Sequence, residues 1–233
     1  MNKKMIYIVT FAISVFVNSI ATTVRAETPV QRVVRLYMSM RNYMDRPDSV
    51  KQITVDNSGE INAFADSYGG ITVTAGMMNF VTNDAELAIV CGHEMAHLSS
   101  QHIKRSLFTR VVAGLASEVG GDGGNVAGSL LFTKQSRKHE READRLGMLY
   151  MWQAGYDPRI AWKFWARMEQ KFNQGDPGVT KYILTHPANN ERIENFKVMP
   201  VRICNDNRRM KYCDEILSDR ELLAAYKAFV GRD

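Results

Sequence analysis

The sequence of 233 residues lacks several features that mark special classes of protein. It contains no internal repeat, no low-complexity tract and no apolar run long enough for a confident membrane span. The glycine-rich stretch "GGDGGN" is not a phosphate-binding loop, because no predicted strand precedes it and no Lys-Ser or Lys-Thr pair follows it. Hydrophobic residues make up 45% of the chain and charged residues 24%, which is typical of a globular protein. The length suits one domain with a sizeable core.

The first 26 residues have the layout of a secretory signal peptide. Lys3 and Lys4 precede an apolar run over residues 5–17, and a polar stretch then ends at Ala26. This layout predicts cleavage after Ala26 and a single mature domain over residues 27–233. The alternative is an uncleaved anchor, which would associate the protein with a membrane surface. We therefore expect an exported protein, with the bacterial periplasm as its compartment.

The excess of positive charge is small once this leader is removed. The full chain carries 30 Lys and Arg against 25 Asp and Glu, a formal charge of +5. Residues 1–26 hold three of the basic residues and none of the acidic ones, so the mature chain carries only about +2. No basic stripe interleaved with aromatic residues is present. These observations argue against nucleic acid as a partner.

The chain has only three cysteines, and export makes a disulfide possible. Cys204 and Cys213 lie nine positions apart in a polar C-terminal segment and can close a small loop. Cys91 lies within the apolar run "LAIVCGHEMAH" and has the character of a small buried hydrophobic residue. We predict one Cys204–Cys213 disulfide and one buried thiol; three free thiols are the alternative.

The pattern of apolar residues predicts an α+β domain that is mainly helical. Short runs of β-branched residues between positions 53 and 74 are separated by turn residues and indicate a small antiparallel sheet. Asn83, followed by Glu86, has the form of a capping box, and its helix is expected to run to about residue 105. The glycine-rich stretch is expected to break the helical pattern. Later helices are expected over about 126–153, after Asp157-Pro158, after Pro187, and over about 214–230.

The stretch "HEMAH" carries two histidines and a glutamate at a spacing that suits a metal site. His93 and His97 are four residues apart, so on a helix both project from one face, about 40° apart, and can reach one ion. Imidazole nitrogens suit Zn²⁺, which takes three protein ligands in a catalytic site and keeps one position for water. Glu94 is placed to take a proton from that water. The alternative is two ordinary helix residues that share this spacing by chance.

A third ligand has to come from another segment of the chain. His102 lies five residues after His97, which is about 140° around a regular helix and off the metal face. The stretch "EREAD" offers Glu140 and Asp144, four residues apart on one helix face. We predict that Glu140 binds the metal and that Asp144 accepts a hydrogen bond from a ligand imidazole.

The order of several motifs resembles that of metallopeptidase family forty-eight. "HEMAH" is followed about 40 residues later by "SRKHEREAD", and "NAFADSYGGITVTAGMM", "AGYDP" and "THPANNERI" match further segments of the family. These matches cover roughly residues 30–200 in the family's order, which is more specific than "HEMAH" alone. The family contains the CAAX prenyl endopeptidases, the heat-shock membrane protease HtpX and soluble periplasmic quality-control proteases. This chain is similar to the compact, soluble branch.

The resemblance implies a zinc endopeptidase of the gluzincin type, with its small sheet beside the helix that carries "HEMAH". The implied catalytic core covers about residues 30–200, and a helical segment follows over residues 201–233. The implied site holds one zinc ion and consists of the ligands His93, His97 and Glu140 with Glu94 as general base.

The same resemblance implies roles for two further segments. The "NAFA" segment, with Asn62, Ala63 and Phe64, is expected to form an edge strand whose backbone pairs with substrate. His186 matches the family's "HP" position near the metal, where it would stabilise the oxyanion or bind zinc in a resting state. Capping a helix is the alternative role for His186.

Together these features predict hydrolysis of internal peptide bonds in unfolded or misassembled envelope proteins. A groove that pairs with backbone favours extended polypeptide as the partner, and export brings the enzyme to envelope proteins. Two alternatives stay open. One is a chaperone-like binding module that keeps the zinc and the groove but rarely cuts, and the other is a structural zinc protein whose site His186 closes.

Overall fold

The computed structural model describes residues 26–103, 105, 122–179, 182, 186 and 190–231, and side chains within these ranges except for 122–136. The predicted signal peptide lies outside the described residues apart from Ala26. Residues 120–121 of the glycine-rich stretch, and residues 187–189 of the "HP" segment, also lie outside them.

The described chain is mainly helical with one small sheet, as predicted. The strands are β1 (Gln52–Asp56), β2 (Ala63–Ala65) and β3 (Gly70–Thr74). The helices are α1 (Pro29–Met40), α2 (Ala75–Phe80), α3 (Asp84–Ser99), α4 (Asp122–Gln153), α5 (Ile160–Asn173), α6 (Asn190–Asp206), α7 (Cys213–Ser218) and α8 (Arg220–Val230). Short 3₁₀ turns at Arg41–Tyr43 and Pro47–Ser49 connect α1 to β1.

The sheet is mixed, so the prediction of a wholly antiparallel sheet is wrong. β3 lies in the centre and pairs with β1 in parallel and with β2 antiparallel. The chain between β1 and β2 does not close a hairpin, because its backbone forms hydrogen bonds with other segments. Gly76 N–H donates to Ser58 O at 2.9 Å, and Ile61 N–H donates to Gly178 O at 2.7 Å. These contacts carry the chain across to the far side of β3. Within the described residues, β2 is therefore an edge strand.

Helix α3 begins where predicted and ends earlier. The Asn83 side chain accepts a hydrogen bond from Glu86 N–H at 3.0 Å, as an N-cap does, and the Glu86 carboxylate accepts one from Thr82 N–H at 2.7 Å. The helix ends at Ser99 and not near residue 105. Gln101 adopts a φ of 57°, in the left-handed region, which a continuing right-handed helix does not contain.

Two other predicted boundaries are wrong. Helix α4 begins at Asp122 and runs through Gly123 and Gly124, so these glycines do not interrupt it. A glycine costs only about 1 kcal/mol relative to alanine in a helix interior, which a long helix can absorb. The predicted helix over about 214–230 is divided into α7 and α8, because Asp219 takes an extended conformation and its side chain caps α8.

The predicted Cys204–Cys213 disulfide is present, and Cys91 is a buried free thiol. The bond ties the end of α6 to the start of α7 within a small hydrophobic cluster that also contains Trp152 and Leu222. Closing a loop this short stabilises a protein by about 2–3 kcal/mol in the chain-entropy picture. The disulfide therefore supports α7 and α8, whose buried residues are only Cys213, Ile216 and Leu222.

Helices α3 and α4 approach closely at two facing glycines. A β-carbon on Gly147 of α4 would lie 2.7 Å from the backbone nitrogen of His93, and one on Gly92 of α3 would lie 2.7 Å from the carbonyl oxygen of Gly147. Residues 86–99 of α3 are all buried, so this contact lies inside the hydrophobic core. It fixes the separation of the two helices beside His93.

We expect Gly147→Ala to lower the free energy of unfolding by ~1–2 kcal/mol, although alanine is the better helix former. The added methyl group meets the backbone of α3 at 2.7 Å, and no side-chain rotation can relieve that clash. Chemical denaturation measures the change. The control is Gly59→Ala, because an added β-carbon there meets nothing within 4 Å. A Gly147→Ala protein as stable as the wild type would contradict this interpretation of the helix contact.

Candidate metal centre

Three segments bring four potential ligand side chains together. His93 and His97 come from α3, Glu140 comes from α4, and His186 lies in the segment between α5 and α6. Their ligand atoms all lie within 4.8 Å of one another. The three histidines are buried, and the Glu140 side chain is 12% exposed. The ligand residues predicted from the sequence are thus in one place, together with His186.

The distances within this cluster suit a single small cation. His93 Nε2 lies 3.0 Å from His97 Nε2, and the two Glu140 oxygens lie 3.3 Å from these nitrogens, Oε2 from His93 and Oε1 from His97. Ligand atoms bound at about 2.0–2.1 Å to a tetrahedral ion are about 3.3 Å apart. Two imidazole nitrogens and a carboxylate are also a donor set that zinc takes in catalytic sites. The residues therefore fit a zinc-sized ion.

The Glu140 carboxyl is held in its ionised form. Burial alone would raise its pKa, but the charge and hydrogen bond of His186 and the hydrogen bonds of His93 and His97 hold the pKa well below its ordinary value. His186 Nδ1 lies 3.0 Å from Glu140 Oε2. An ionised carboxylate is the form that binds a cation.

Asp144 contacts the far side of the His93 ring. Asp144 Oδ1 lies 2.9 Å from His93 Nδ1, so Nδ1 carries the proton and Nε2 presents its lone pair to the cluster. Burial alone would raise the pKa of Asp144, but Arg192 and the hydrogen bond with His93 hold it below its ordinary value. Asp144 thus has the predicted contact with an imidazole, that of His93, whose role as a ligand stays a prediction.

Arg192 is absent from the residues predicted from the sequence. It is only 5% exposed and donates to both Asp144 oxygens at 2.6 Å. It also donates to the carbonyl oxygen of His186 at 3.1 Å, and its guanidinium stacks on Trp165 with its carbon 3.6 Å from the ring centroid. Arg192 therefore connects the His186 segment to α4. The one indication of this role in the sequence is that Arg192 lies within the motif "THPANNERI".

Glu94 is buried between the ligand cluster and β2. Its side chain is 1% exposed, and Oε1 lies 3.5 Å from His186 Nε2. Burial raises the pKa of Glu94, although the charges of His93 and His97 and the backbone N–H of Ala65 oppose this. A raised pKa makes a carboxylate a stronger proton acceptor, which is the property that a general base requires.

His102 is not a member of the ligand cluster, as predicted, but the regular helix assumed in that prediction ends before this residue. His102 Nδ1 lies 3.1 Å from His97 Nδ1, and the ring is buried. The angle of about 140° assumes a regular helix, but α3 ends at Ser99 and Gln101 is left-handed. The chain therefore turns back, and His102 comes to lie against His97.

The segment predicted to bind substrate contains β2. Thr74 N–H donates to Asn62 O at 3.0 Å and Asp66 N–H donates to Gly70 O at 3.0 Å, so the backbone groups of residues 62, 64 and 66 face β3. By alternation, those of Ala63 and Ala65 face away from β3. Among the described residues no strand pairs with this outer edge. Phe64 is 38% exposed, whereas Asn62 and Ala63 are buried.

A cleft of about 480 Å³ opens beside His97. It lies between the end of α3, the turn over residues 66–69 that follows β2, and residues 45–49. The cleft is therefore lined both by His97 of the ligand cluster and by the turn that follows β2. None of the helices within the described part of the chain is long and apolar enough to cross a membrane.

Comparison with known proteins gives a consistent set of relatives. The profile of Peptidase family M48 matches residues 25–199. Mitochondrial metalloendopeptidase OMA1 of Arabidopsis thaliana is 33% identical over 147 residues, which cover 60% of this chain and 30% of that protein. Beta-barrel assembly-enhancing protease of Escherichia coli strain K12 is 26% identical over 164 residues, which cover 60% of this chain and 32% of that protein. This chain thus spans about a third of the length of these relatives.

We expect Glu140→Ala to lose most of its metal, because only two imidazoles of the predicted ligand set then remain. His139→Ala is the matched control, since His139 is the preceding residue on α4 and is not a member of the ligand cluster. Metal content per chain, measured by atomic emission after dialysis, should fall far below one in the first variant and stay near one in the second. Metal retained by the Glu140 variant but lost from the His139 variant would show that the wrong face of α4 has been assigned to the metal.

Proposed function

Because this chain belongs to peptidase family M48, we propose that it is a zinc-dependent endopeptidase that cuts internal peptide bonds of unfolded or misassembled envelope proteins. The observation that carries the proposal is the position of Glu94. This buried carboxyl group lies beside the ligand cluster and next to the backbone of Ala65 at the unpaired edge of β2. A bound polypeptide and a proton acceptor would thus meet at one point.

His93, His97 and Glu140 would hold the ion. Zinc would supply positive charge that polarises the scissile carbonyl group and makes a water molecule more acidic. Glu94 takes the proton of the attacking water and returns it to the leaving amine. The raised pKa of Glu94 makes its carboxylate a stronger proton acceptor than an exposed one, because burial disfavours the charged form. Asp144 keeps the His93 ring in the orientation that the ion requires.

His186 would act beside Glu94. Its Nε2 lies 3.5 Å from Glu94 Oε1, and its Nδ1 lies 3.1 Å from His93 Nε2. These contacts support a role in stabilising the oxyanion or in completing the ligand set at rest. They favour either of these roles over capping a helix, because the His186 side chain points into the cluster. The hydrogen bond from Arg192 to the His186 carbonyl would hold the segment in position.

The substrate would bind as an additional strand along β2. The outward backbone groups of Ala63 and the outward carbonyl group of Ala65 would pair with an extended chain, since the Ala65 N–H donates to Glu94. The exposed Phe64 side chain would contact the same chain. The Asn62 amide oxygen has no hydrogen-bond partner within the described residues, and a substrate bound along β2 would have to uncover this buried oxygen in order to donate to it. Pairing through backbone selects extended chains and not particular sequences, which suits unfolded proteins.

Export to the periplasm is part of the proposal. It is supported by the leader-like pattern of residues 1–26 and by the Cys204–Cys213 disulfide, since such bonds persist in oxidising compartments. One relative is named for enhancing β-barrel assembly, which agrees with an envelope substrate. Another is named as mitochondrial, so the compartment rests on the features of this chain and not on its relatives.

A second candidate function is a structural zinc site, and the fourth member of the cluster favours it. His186 offers a ligand atom within 4.8 Å of those of His93, His97 and Glu140, which would complete a closed site. A chaperone-like module with little proteolysis is a related alternative. Digestion of casein by the mature protein, with and without a chelator, separates the peptidase from both alternatives, because only a zinc peptidase cuts the substrate and stops when metal is removed.

We expect Glu94→Gln to abolish casein cleavage while leaving the metal bound. The amide keeps the size of the side chain but cannot take a proton, and loss of general acid–base assistance costs ~10²–10⁴-fold in rate. None of the proposed ligands changes, so zinc content and melting temperature should stay near the wild-type values. Wild-type turnover by this variant would refute the role of Glu94, and loss of zinc together with activity would identify Glu94 as a structural residue.

A further inference from the structure

We propose that His102 is a positioning residue of the metal centre, which holds the His97 imidazole in the orientation and tautomer that leave Nε2 free for the metal. The inference rests on the proposed function, because it takes His97 as a ligand. It assigns a role to a buried histidine that lies outside the ligand cluster itself.

The contact between the two rings fixes the positions of their protons. His97 Nε2 faces His93 Nε2 at 3.0 Å and Glu140 Oε1 at 3.3 Å, so as a ligand this nitrogen carries no proton. The proton of His97 is then on Nδ1, which donates to His102 Nδ1 at 3.1 Å. His102 must accept there, so its own proton is on Nε2.

Glu142 completes the chain of contacts from the other side. His102 Nε2 lies 3.4 Å from Glu142 Oε2, and Ser100 Oγ donates to Glu142 Oε1 at 3.3 Å. A carboxylate beside Nε2 favours the tautomer in which that nitrogen carries the proton. Glu142, His102 and His97 thus form a line that ends at the proposed metal.

The His102 ring is held in its plane by packing. It is 1% exposed, and it stacks on His139 with ring centroids 4.4 Å apart and planes 10° apart. A fixed plane keeps the Nδ1 lone pair directed at His97. The role of His139 is then to support His102 and not to bind metal.

The backbone conformation at Gln101, just before His102, brings the His102 ring to the His97 ring. A regular continuation of α3 would carry His102 to another face of the helix, about 140° from His97. Instead Gln101 has a φ of 57°, which is strained for a residue with a β-carbon. Strained residues of this kind are concentrated at functional sites. The strain coincides here with the turn that brings His102 to His97.

The two ligand histidines are thus supported in the same manner by different groups. His93 has a carboxylate, Asp144, at its far nitrogen, and His97 has an imidazole, His102. Partners of this kind typically contribute 10–100-fold to metal affinity. Loss of His102 should therefore weaken metal binding without removing a ligand.

The test is the zinc affinity of the purified mature protein, measured by competition with a chromophoric chelator. His102→Phe keeps a ring that can stack on His139 but removes both nitrogens, and we expect ~10–100-fold weaker binding. His102→Asn presents an amide oxygen near the position of Nδ1, and should recover most of the affinity. His102→Gln presents its amide near the position of Nε2, and should bind as weakly as the Phe variant.

Tyr226→Phe on α8 is the control, because Tyr226 packs against the cluster around the disulfide and not against the metal centre; its zinc affinity should equal that of the wild type. Wild-type affinity in His102→Phe overturns the proposal. If that variant does not fold, the two amide variants decide, and equal affinities for Asn and Gln overturn it. A wild-type protein that binds no zinc refutes the proposed function, whereas one that binds zinc regardless of residue 102 refutes only this inference.

Discussion

The contact between Gly92 and Gly147 determines the distance between the two helices that carry the metal ligands. Because glycine has no side chain, α4 lies close enough to α3 at these two positions for Glu140 to reach both His93 and His97. Glu140 lies seven residues before Gly147, about two helical turns, so it is on the face of α4 that this contact turns toward α3. A wider separation would keep the same residues but would open the cluster beyond the reach of one ion.

Burying the charged side chains of the metal centre costs free energy, and specific partners of opposite charge offset that cost. Asp144 is ionised because Arg192 and His93 pair with it, and Arg192 is in turn covered by Trp165. A buried carboxylate or guanidinium without such a partner would cost several kcal/mol. The balanced network holds the imidazoles rigidly, which is the condition for a precise metal site. Glu94 is set apart because it has no ion pair as close as that of Asp144, and this leaves it able to gain and lose a proton.

Local periodicity accounts for the part of the site that could be predicted from the sequence. Glu140 and Asp144 could be assigned because a spacing of four residues puts two side chains on one helix face whatever the tertiary structure. The contact of His102 with His97 could not be predicted, because it depends on a left-handed conformation at Gln101. Residues with a β-carbon rarely adopt that conformation. Arg192 could not be predicted because its partner lies 48 residues away in the chain. The parallel pairing of β1 depends in the same way on backbone contacts between distant segments.

The most direct test of the metal centre is a crystal structure of the zinc-loaded protein with anomalous diffraction measured at the zinc edge. A single ion should lie about 2.0–2.2 Å from His93 Nε2, His97 Nε2 and a carboxylate oxygen of Glu140. His102 should be in contact with the other nitrogen of His97 and should not touch the ion. An anomalous peak away from these three atoms, or an ion bound without Glu140, would contradict the proposed centre.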